Sequence, residues 1–289
     1  MKLKGKSALV TGGSQGLGKM IARSFLKEGA SVMLCARDKK DLVTAQSELS
    51  HEAQDGGKVW AHATDVSRWD QAEGLVESTL SHFPDLDILV NNAGIYGPIG
   101  RLEENRWEEW VDTIGVNLLA TAYLCRRFVG HFKKRGKGKS INISGGGAAE
   151  PRVGFTAYAT SKAAVVRFTE TLAEELREYR VDVNALAPGA LNTRLLDEVL
   201  KVGAEKIGEA ACEKAKKQKF EGKDNLKKAS SLCVFLASSA SDGITGKLIS
   251  AIWDPWENLS EHLPELQRTD IYTLRRILPK DRGKIWNKK

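Results

Sequence analysis

Tyr158 and Lys162 have complementary acid–base chemistry and are four positions apart in the segment Tyr-Ala-Thr-Ser-Lys. In a helix this spacing puts the phenol and the ammonium group on one face. Tyrosine is a poor base at neutral pH because its pKa is about 10, and a neighbouring cation favours the phenolate and lowers that pKa. The pair could exchange a proton with a carbonyl or an alcohol, although the same spacing also occurs on ordinary helix surfaces.

A glycine-rich segment, Thr-Gly-Gly-Ser-Gln-Gly-Leu-Gly, occupies residues 11–18. The apolar run before it predicts a buried strand, and the spacing of apolar residues after it predicts a helix. Glycine accepts positive φ and has no Cβ, while the free N–H groups at the start of a helix attract an anion. A tight strand–helix turn is the alternative, but the order strand, turn, helix favours a nucleotide phosphate site. Its residues are Gly12, Ser14, Gln15, Gly16, Leu17 and Gly18.

The spacing of this turn is T-G-x-x-x-G-x-G, and Asn91-Asn-Ala-Gly94 follows a predicted strand over residues 86–90. Together with the Tyr158 and Lys162 pair, these motifs resemble those of the classical short-chain dehydrogenase/reductase family. The resemblance covers about residues 5–252. It implies one doubly wound Rossmann-type α/β domain with a mainly parallel, seven-stranded sheet. It also implies an NAD(P)-dependent enzyme that interconverts a carbonyl and a secondary alcohol.

The resemblance also implies roles for individual residues. Tyr158 is the acid/base, Lys162 tunes it and holds the nicotinamide ribose, and Asn117 helps to hold a water in the proton relay. The segment 188–193 contacts the nicotinamide carboxamide. The further cofactor-binding residues implied are Asp65 and Val66 beneath the adenine, Asn92, Ala93 and Gly94 along the channel, and Pro188, Gly189 and Thr193.

One position departs from the family pattern. Family members usually have a serine that polarises the substrate carbonyl, and counting back from Tyr158 places Gly145 there, with Ser144 one residue early. A shift of one residue turns a strand side chain to the opposite face. The run Gly145-Gly-Gly147 could bend the backbone and bring the Ser144 hydroxyl or a main-chain N–H into that role. Ser144 is therefore included among the catalytic candidates.

The end of the second predicted strand, Arg37-Asp38, bears on the choice of cofactor. An acid at this point accepts hydrogen bonds from the adenosine ribose, whereas a basic residue pairs with the 2′-phosphate of NADP. By the resemblance, Arg37 takes the position of the basic residue in NADP-preferring family members. The Ser14 hydroxyl could donate a hydrogen bond to the same 2′-phosphate. Asp38 is near the general spacing of a ribose-binding acid. We expect NADP(H) to be preferred, with NAD(H) as the alternative.

The composition is that of a soluble globular protein, with 289 residues, 42% hydrophobic and 28% charged. No apolar run reaches the ~18–20 residues of a membrane span, and the N-terminus lacks a signal-peptide core, so a cytoplasmic protein without a membrane partner is expected. The four cysteines, Cys35, Cys125, Cys212 and Cys233, are far apart. Their spacing argues against a disulfide framework and against a metal site.

The net charge of +7 is concentrated in residues 201–228 and 257–289. These segments could meet an anionic substrate or nucleic acid. Because acidic and basic residues are interspersed in both, we favour a solvated helix face and a basic tail, and expect no nucleic-acid partner. The expected partner is a small carbonyl or alcohol substrate, and the charge mildly favours a polar or anionic one over a steroid.

Hydrophobic periodicity predicts alternating strands and helices through the chain. Residues 190–225 correspond to the family's substrate lid within a domain of residues 1–256. Residues 257–289 form an extension expected to pack, through Ile271-Tyr-Thr-Leu and Ile285-Trp, on its own or on a partner subunit. Strands are predicted at 7–10, 30–36, 59–65, 86–90, 139–144, 181–187 and 248–252, and helices at 19–26, 41–51, 107–134, from about 157 to 179, and at 226–237.

Two further expectations follow from the resemblance. The two long helices, 107–134 and 157–179, form the subunit interface in family members, so a homodimer or homotetramer is expected. Because Gly145 replaces the usual serine, a second hypothesis is a cofactor-binding sensor or assembly subunit with little turnover.

Overall fold

The computed structural model describes residues 1–221 and 224–286, without the side chains of residues 211, 220 and 221. Seven parallel strands form one sheet in the order β3-β2-β1-β4-β5-β6-β7, as expected for a doubly wound domain. The strands are β1 (Ser7–Thr11), β2 (Ser31–Ala36), β3 (Val59–Ala63), β4 (Ile88–Asn91), β5 (Gly138–Ile143), β6 (Val181–Ala187) and β7 (Leu248–Ser250).

Helices cover both faces of this sheet. Successive residues of β1 point to opposite faces, so Ala8 and Val10 pack in one apolar core and Leu9 in the other. The helices are α1 (Gly16–Lys27), α2 (Lys39–Glu52), α3 (Trp69–His82), α4 (Trp107–Ile114), α5 (Ala120–Arg135), α6 (Thr156–Leu176), α7 (Arg194–Val202), α8 (Ala204–Ile207), α9 (Glu209–Glu221), α10 (Asn225–Ala237) and α11 (Leu263–Arg268).

The strand order reverses between β1 and β4. β1 pairs with β2 on one side and with β4 on the other, so the connections leave the sheet in opposite directions. In such sheets a crevice opens beyond the carboxyl ends of the strands at this switch point. The predicted site residues lie at these ends.

Three helix predictions are corrected by the structure. Helix α1 begins at Gly16 and not at residue 19, so the last three residues of the glycine-rich turn are its first helical residues. Helix α3 was not predicted, although its buried residues Ala72, Leu75, Val76 and Thr79 have helical spacing. The helix predicted at 107–134 is divided by a π-helix, Gly115–Leu119. Such an insertion adds a residue to one turn and re-aims the side chains within it.

The C-terminal extension is part of the domain rather than a separate tail. Trp256, Leu259 and Leu266 are buried in the core under helix α10. Beyond them the chain covers the edge of β7, where the Leu248 N–H donates to the Tyr272 carbonyl at 2.8 Å. Covering an edge strand removes a site for unwanted strand pairing.

The segment Ile271-Tyr-Thr-Leu makes hydrogen bonds with the rest of the described chain. The Leu274 N–H donates to Glu170 Oε1 at 2.6 Å, and Lys247 Nζ donates to the Ile271 carbonyl at 2.9 Å. Ile285 and Trp286, expected to dock as well, are 91% and 73% exposed.

Within residues 1–221 and 224–286, no helix combines the length and the hydropathy that crossing a membrane requires. The four cysteines are free and buried.

Candidate active site

Tyr158 and Lys162 lie in the first half of α6, with the phenol at the floor of the cleft. Tyr158 is 8% exposed and Lys162 is 4% exposed. Lys162 Nζ lies 5.8 Å from the centre of the Tyr158 ring and donates to the Ile143 carbonyl at 2.8 Å. Among the described residues the Tyr158 hydroxyl has no hydrogen-bond partner. The hydroxyl is therefore available to a ligand.

The pKa of Tyr158 does not follow the sequence-based expectation. Burial raises it, the neighbouring Tyr96 raises it further, and the Arg152 guanidinium partly opposes the rise. Lys162 is not among the groups that shift it, and burial lowers the pKa of Lys162 itself to about 8. In the protein alone, Tyr158 is a protonated phenol at neutral pH and could donate its proton.

The buried ammonium of Lys162 should reduce stability in a pH-dependent way. Its pKa is about 8 in the folded chain and 10.5 as the reference. The unfolded chain therefore binds more protons between these values, so this contribution raises stability as pH rises from 8 to 10.5 and is fully unfavourable below pH 8.

Lys162→Met should accordingly be more stable than the wild type at pH 7, by up to about 3 kcal/mol, and this advantage should shrink as the pH approaches 10.5. The measurement is urea unfolding of both proteins across that range. Groups that titrate alike in the two proteins contribute equally to both free energies of unfolding, so their contributions cancel in the difference. An advantage that is independent of pH would show that Lys162 titrates normally.

Asn117 lies in the π-helix and is 1% exposed. Its amide holds the chain after β4 from both sides: Nδ2 donates to the Ile95 carbonyl at 2.9 Å, and Oδ1 accepts from the Ile95 N–H at 2.9 Å. Nδ2 also donates to Ser161 Oγ at 2.9 Å. A Cβ on Gly94 would lie 3.2 Å from Asn117 Oδ1 and 3.4 Å from Lys162 Nζ. The Asn117 amide oxygen and the Lys162 ammonium thus both lie close to Gly94.

Ser144 and Gly145 point to different surroundings. Ser144 is 1% exposed, and its hydroxyl donates to the Lys162 carbonyl at 3.4 Å. Gly145 faces the catalytic candidate instead, since a Cβ built on it would lie 2.2 Å from the Tyr158 hydroxyl oxygen. The N–H groups of residues 145–147 donate to no acceptor within the described parts of the chain. These contacts favour the main-chain alternative over the Ser144 side chain as a carbonyl-polarising donor.

The glycine-rich turn leaves the start of α1 open. Gln15 precedes the helix without a capping hydrogen bond from its side chain, and the first turn carries no acidic residue. Gly12 and Gly16 have φ of +63° and +55°, which other residues rarely adopt. A Cβ on Gly18 would lie 2.1 Å from the Gly12 carbonyl oxygen. The turn therefore fits the phosphates of a dinucleotide, with Ser14 and Leu17 lining the same cleft.

The Asn91-Asn-Ala-Gly94 segment ties this turn to the middle of the sheet. Asn92 Nδ2 donates to the Thr11 carbonyl at 2.8 Å, and the N–H groups of Asn92 and Ala93 both donate to Thr11 Oγ1. Behind them Asn91 Nδ2 donates to Asn142 Oδ1 at 2.8 Å. These bonds fix the ends of β1 and β4 relative to each other.

Arg37 and Asp38 have different contacts. The Asp38 carboxylate accepts a hydrogen bond from the Asp41 N–H at 2.8 Å and so caps α2. Arg37 is exposed, lines the cleft and pairs with no described residue. Asp65 and Val66 line the same end of the cleft, where Asp65 Oδ1 accepts from Ser67 Oγ at 2.7 Å.

The segment after β6 borders the opposite end of the cleft. Gly189 has φ of +77°, and a Cβ there would lie 2.4 Å from Ile252 Cγ1. Pro188 lines the cleft beside it. Thr193 precedes α7 and approaches the glycine-rich turn, since a Cβ on Gly16 would lie 3.5 Å from Thr193 Cγ2.

Sequence reasoning missed an aromatic cluster around Tyr158. The rings of Tyr96 and Tyr158 are 4.6 Å apart, and the Tyr96 and Phe155 rings are 5.4 Å apart. The lid helices α7, α8 and α9 complete the cluster through Leu196 and Ile207 among others. The sequence signal that could have identified Tyr96 as a site residue is its position two residues after the Asn91–Gly94 motif.

Residues from the glycine-rich turn, the ends of the strands, the aromatic cluster and helices α7, α8 and α9 line one cleft of about 1090 Å³. It extends from Arg37 to the lid, and its volume suits a ligand of dinucleotide size together with a small substrate. Within the described ranges, no group of three or more His, Cys, Asp and Glu side chains could hold a metal ion.

Comparisons with known proteins agree with this architecture. The family model described as short chain dehydrogenase matches residues 6–202. The chain is 33% identical to the 3-oxoacyl-[acyl-carrier-protein] reductase FabG of Thermotoga maritima over 252 residues, covering 86% of this chain and 97% of the relative. It is 31% identical to D-beta-hydroxybutyrate dehydrogenase of Cupriavidus necator over 260 residues, covering 87% and 96%.

Solved structures give the same result. An actinorhodin polyketide ketoreductase variant with NADPH superposes with a TM-score of 0.77 and 28% identity, covering 85% of this chain and 95% of the other. NAD⁺-bound xylitol dehydrogenase has a TM-score of 0.76 at 22% identity, covering 86% and 98%, which shows the shared fold.

The fold and the cleft define a Rossmann-type oxidoreductase. The chain belongs to the short-chain dehydrogenase family, whose members are NAD(P)-dependent enzymes that act on CH–OH and C=O groups.

Proposed function

We propose that this protein is an NADP(H)-dependent oxidoreductase that interconverts a carbonyl and a secondary alcohol, with Tyr158 as the acid/base. The observation that carries the proposal is the unpaired Tyr158 hydroxyl at the base of a cleft that also contains the open glycine-rich turn. The open start of α1 and its glycines would hold the phosphates of the cofactor. When bound, the nicotinamide supplies or accepts the hydride at the substrate carbon.

In the direction of reduction, the Tyr158 hydroxyl donates its proton to the substrate oxygen, and the free N–H groups of residues 145–147 are the donors available to polarise that oxygen. The raised pKa of Tyr158 keeps this proton on the phenol at neutral pH. Lys162, with its pKa near 8, is charged at pH 7 and is placed to hold the nicotinamide ribose. Asn117 fixes the chain around Ile95 that forms the opposite wall.

The preference for NADP(H) is argued from the two residues after β2. Asp38 is engaged as the cap of α2, whereas the exposed guanidinium of Arg37 lines the cleft with its donors free. A guanidinium matches a 2′-phosphate with two parallel hydrogen bonds, while a ribose hydroxyl requires an acceptor.

A titration of the protein with NADPH and NADH, followed by fluorescence, tests this preference. We expect NADPH to bind at least ~10-fold more tightly, since charge-assisted hydrogen bonds contribute about 1.5–3 kcal/mol. Arg37→Ala should remove most of that difference. Arg68→Ala, which replaces an exposed arginine outside the cleft, should preserve it. Equal affinity for the two cofactors in the wild type would contradict the assignment.

We also propose a homodimer or homotetramer built through α4, α5 and α6. The support is exposed apolar side chains on α4 and on the π-helix that joins it to α5: Trp107 is 63% exposed, Val111 48% and Leu119 46%. A monomeric protein rarely leaves such a patch in water. Light scattering should give a multiple of 31.7 kDa, and Trp107→Glu combined with Val111→Glu should reduce it. A monomeric wild type would exclude this interface.

A further inference from the structure

Arg152 is a cation beside Tyr158 that the proposed reaction does not use. Its guanidinium carbon lies 3.7 Å from the centre of the Phe155 ring, 5.0 Å from that of Tyr96 and 5.9 Å from that of Tyr158. The side chain is half-buried and lines the cleft. It has no hydrogen bond or ion pair with any residue in the described ranges.

The geometry of the stack leaves the hydrogen-bonding edge of Arg152 open. Guanidinium is weakly hydrated and packs against aromatic rings through its flat face. Its five N–H donors lie in the plane of the group, so a ring on one face does not cover them. A half-buried guanidinium with all its donors unpaired is a strong site for a planar, bidentate anion.

The glycine run connects this edge to the reacting hydroxyl. A Cβ on Gly145 would lie 2.2 Å from the Tyr158 hydroxyl, and one on Gly146 would lie 3.9 Å from Arg152 Nη1. Adjacent residues therefore border both groups, and their N–H groups have no described acceptor. A ligand lying along residues 145–146 would meet the phenol with one end and the guanidinium with the other.

We propose, as a refinement that rests on the proposed function, that the substrate is a short oxo acid or the corresponding hydroxy acid whose carboxylate is bound by Arg152. The carboxylate would be a few bonds from the carbon that reacts at Tyr158. Nearby charges favour a single planar negative group. Lys214 of α9 lines the cleft and adds a positive charge, while Glu150 and Glu198 line it as well and disfavour a doubly charged phosphate.

The test compares each acid with its own methyl ester, using 2-oxobutanoate, 3-oxobutanoate and 4-oxopentanoate with NADPH. We expect kcat/KM for at least one acid to exceed that of its ester by roughly 10- to 100-fold, the range of a charge-assisted hydrogen bond. Arg152→Gln should reduce this ratio to near unity, mainly by raising KM for the acid. Arg152→Lys should retain part of it. Arg106→Gln, an exposed arginine outside the cleft, should retain all of it.

Because the ratio is measured within one variant, a general loss of folded protein cancels. Ratios below about 2-fold for all three acids in the wild type, or an unchanged ratio in Arg152→Gln, would overturn the proposal. Faster reduction of dihydroxyacetone phosphate than of every acid would also overturn it.

Saturation-transfer NMR with the same pairs reports binding without turnover. If no compound is reduced but uncharged ketones are, the substrate assignment fails and the proposed function stands; if uncharged ketones are not reduced either, the proposed function fails. Acid-selective binding that is lost in Arg152→Gln would still support the anion site, and absence of acid-selective binding would reject it.

Discussion

Tyr158→Phe should lower kcat for ketone reduction by roughly 10²- to 10⁴-fold, the contribution of a positioned acid or base. The substitution removes only the hydroxyl, which has no described partner, and keeps the ring that packs against Tyr96. No buried group is left unpaired, so stability should be nearly unchanged. Steady-state kinetics with NADPH and a ketone panel measure the effect.

Tyr96→Phe is the matched control for Tyr158→Phe. It removes a phenol hydroxyl from the same aromatic cluster, with ring centres only 4.6 Å away, yet leaves Tyr158 intact. Its kcat should remain within a few-fold of the wild type. Equal losses in both variants would show that the cluster, and not the Tyr158 proton, carries turnover. NADPH binding without turnover in the wild type would favour the sensor or assembly subunit considered from the sequence.

Much of the fold could be predicted because its signals are local. Strands such as Ser7–Thr11 and Ser31–Ala36 are short apolar runs next to a turn, and parallel strands buried on both faces read this way. Helix α3 and the division of the helix at 107–134 were missed. The buried residues of α3 do have helical spacing, whereas nothing in the apolar spacing marks the π-helix at Gly115–Leu119.

The parts of the site whose backbone is fixed by a motif could be predicted from the sequence. The properties that depend on side-chain packing could not. Residues Gly12 and Ser14–Leu17 of the turn, Tyr158 and Lys162 line the cleft. The pKa of Tyr158 did not follow the expectation, because burial is the largest cause that raises it, and burial is not visible in a spacing. Arg152 was missed since its position depends on the loop of residues 145–155, whose path the glycines leave open.

At residue 145 the structure predicts that adding a side chain lowers activity. The resemblance drawn from the sequence implies a serine at this position, which suggests that Gly145→Ser would improve the enzyme. In this chain a Cβ at residue 145 would lie 2.2 Å from the Tyr158 hydroxyl oxygen and 3.1 Å from Cζ. Ordinary contact requires about 3.4 Å, so the phenol must move by about 1 Å.

Gly145→Ala should therefore lower kcat by about 10²-fold, because a displacement of about 1 Å at a reacting group costs that much. Alanine isolates the steric effect, since it adds a Cβ without a new hydroxyl. Gly145→Ser should fall as well, with at most partial compensation from its hydroxyl. A serine variant faster than the wild type would show that the loop yields, and that Gly145 is merely a missing donor.

A double-mutant cycle with Tyr158→Phe identifies the cause of the loss. If Gly145→Ala acts by displacing the hydroxyl, it should cost nearly nothing once Tyr158 is phenylalanine, because the 2.2 Å contact no longer exists. If it acts by distorting the cofactor site, the two losses should multiply, and NADPH affinity should fall in both backgrounds. We expect strong non-additivity with unchanged NADPH affinity. That outcome would mean that the missing side chain at residue 145 leaves the room that the Tyr158 hydroxyl needs to reach its catalytic position.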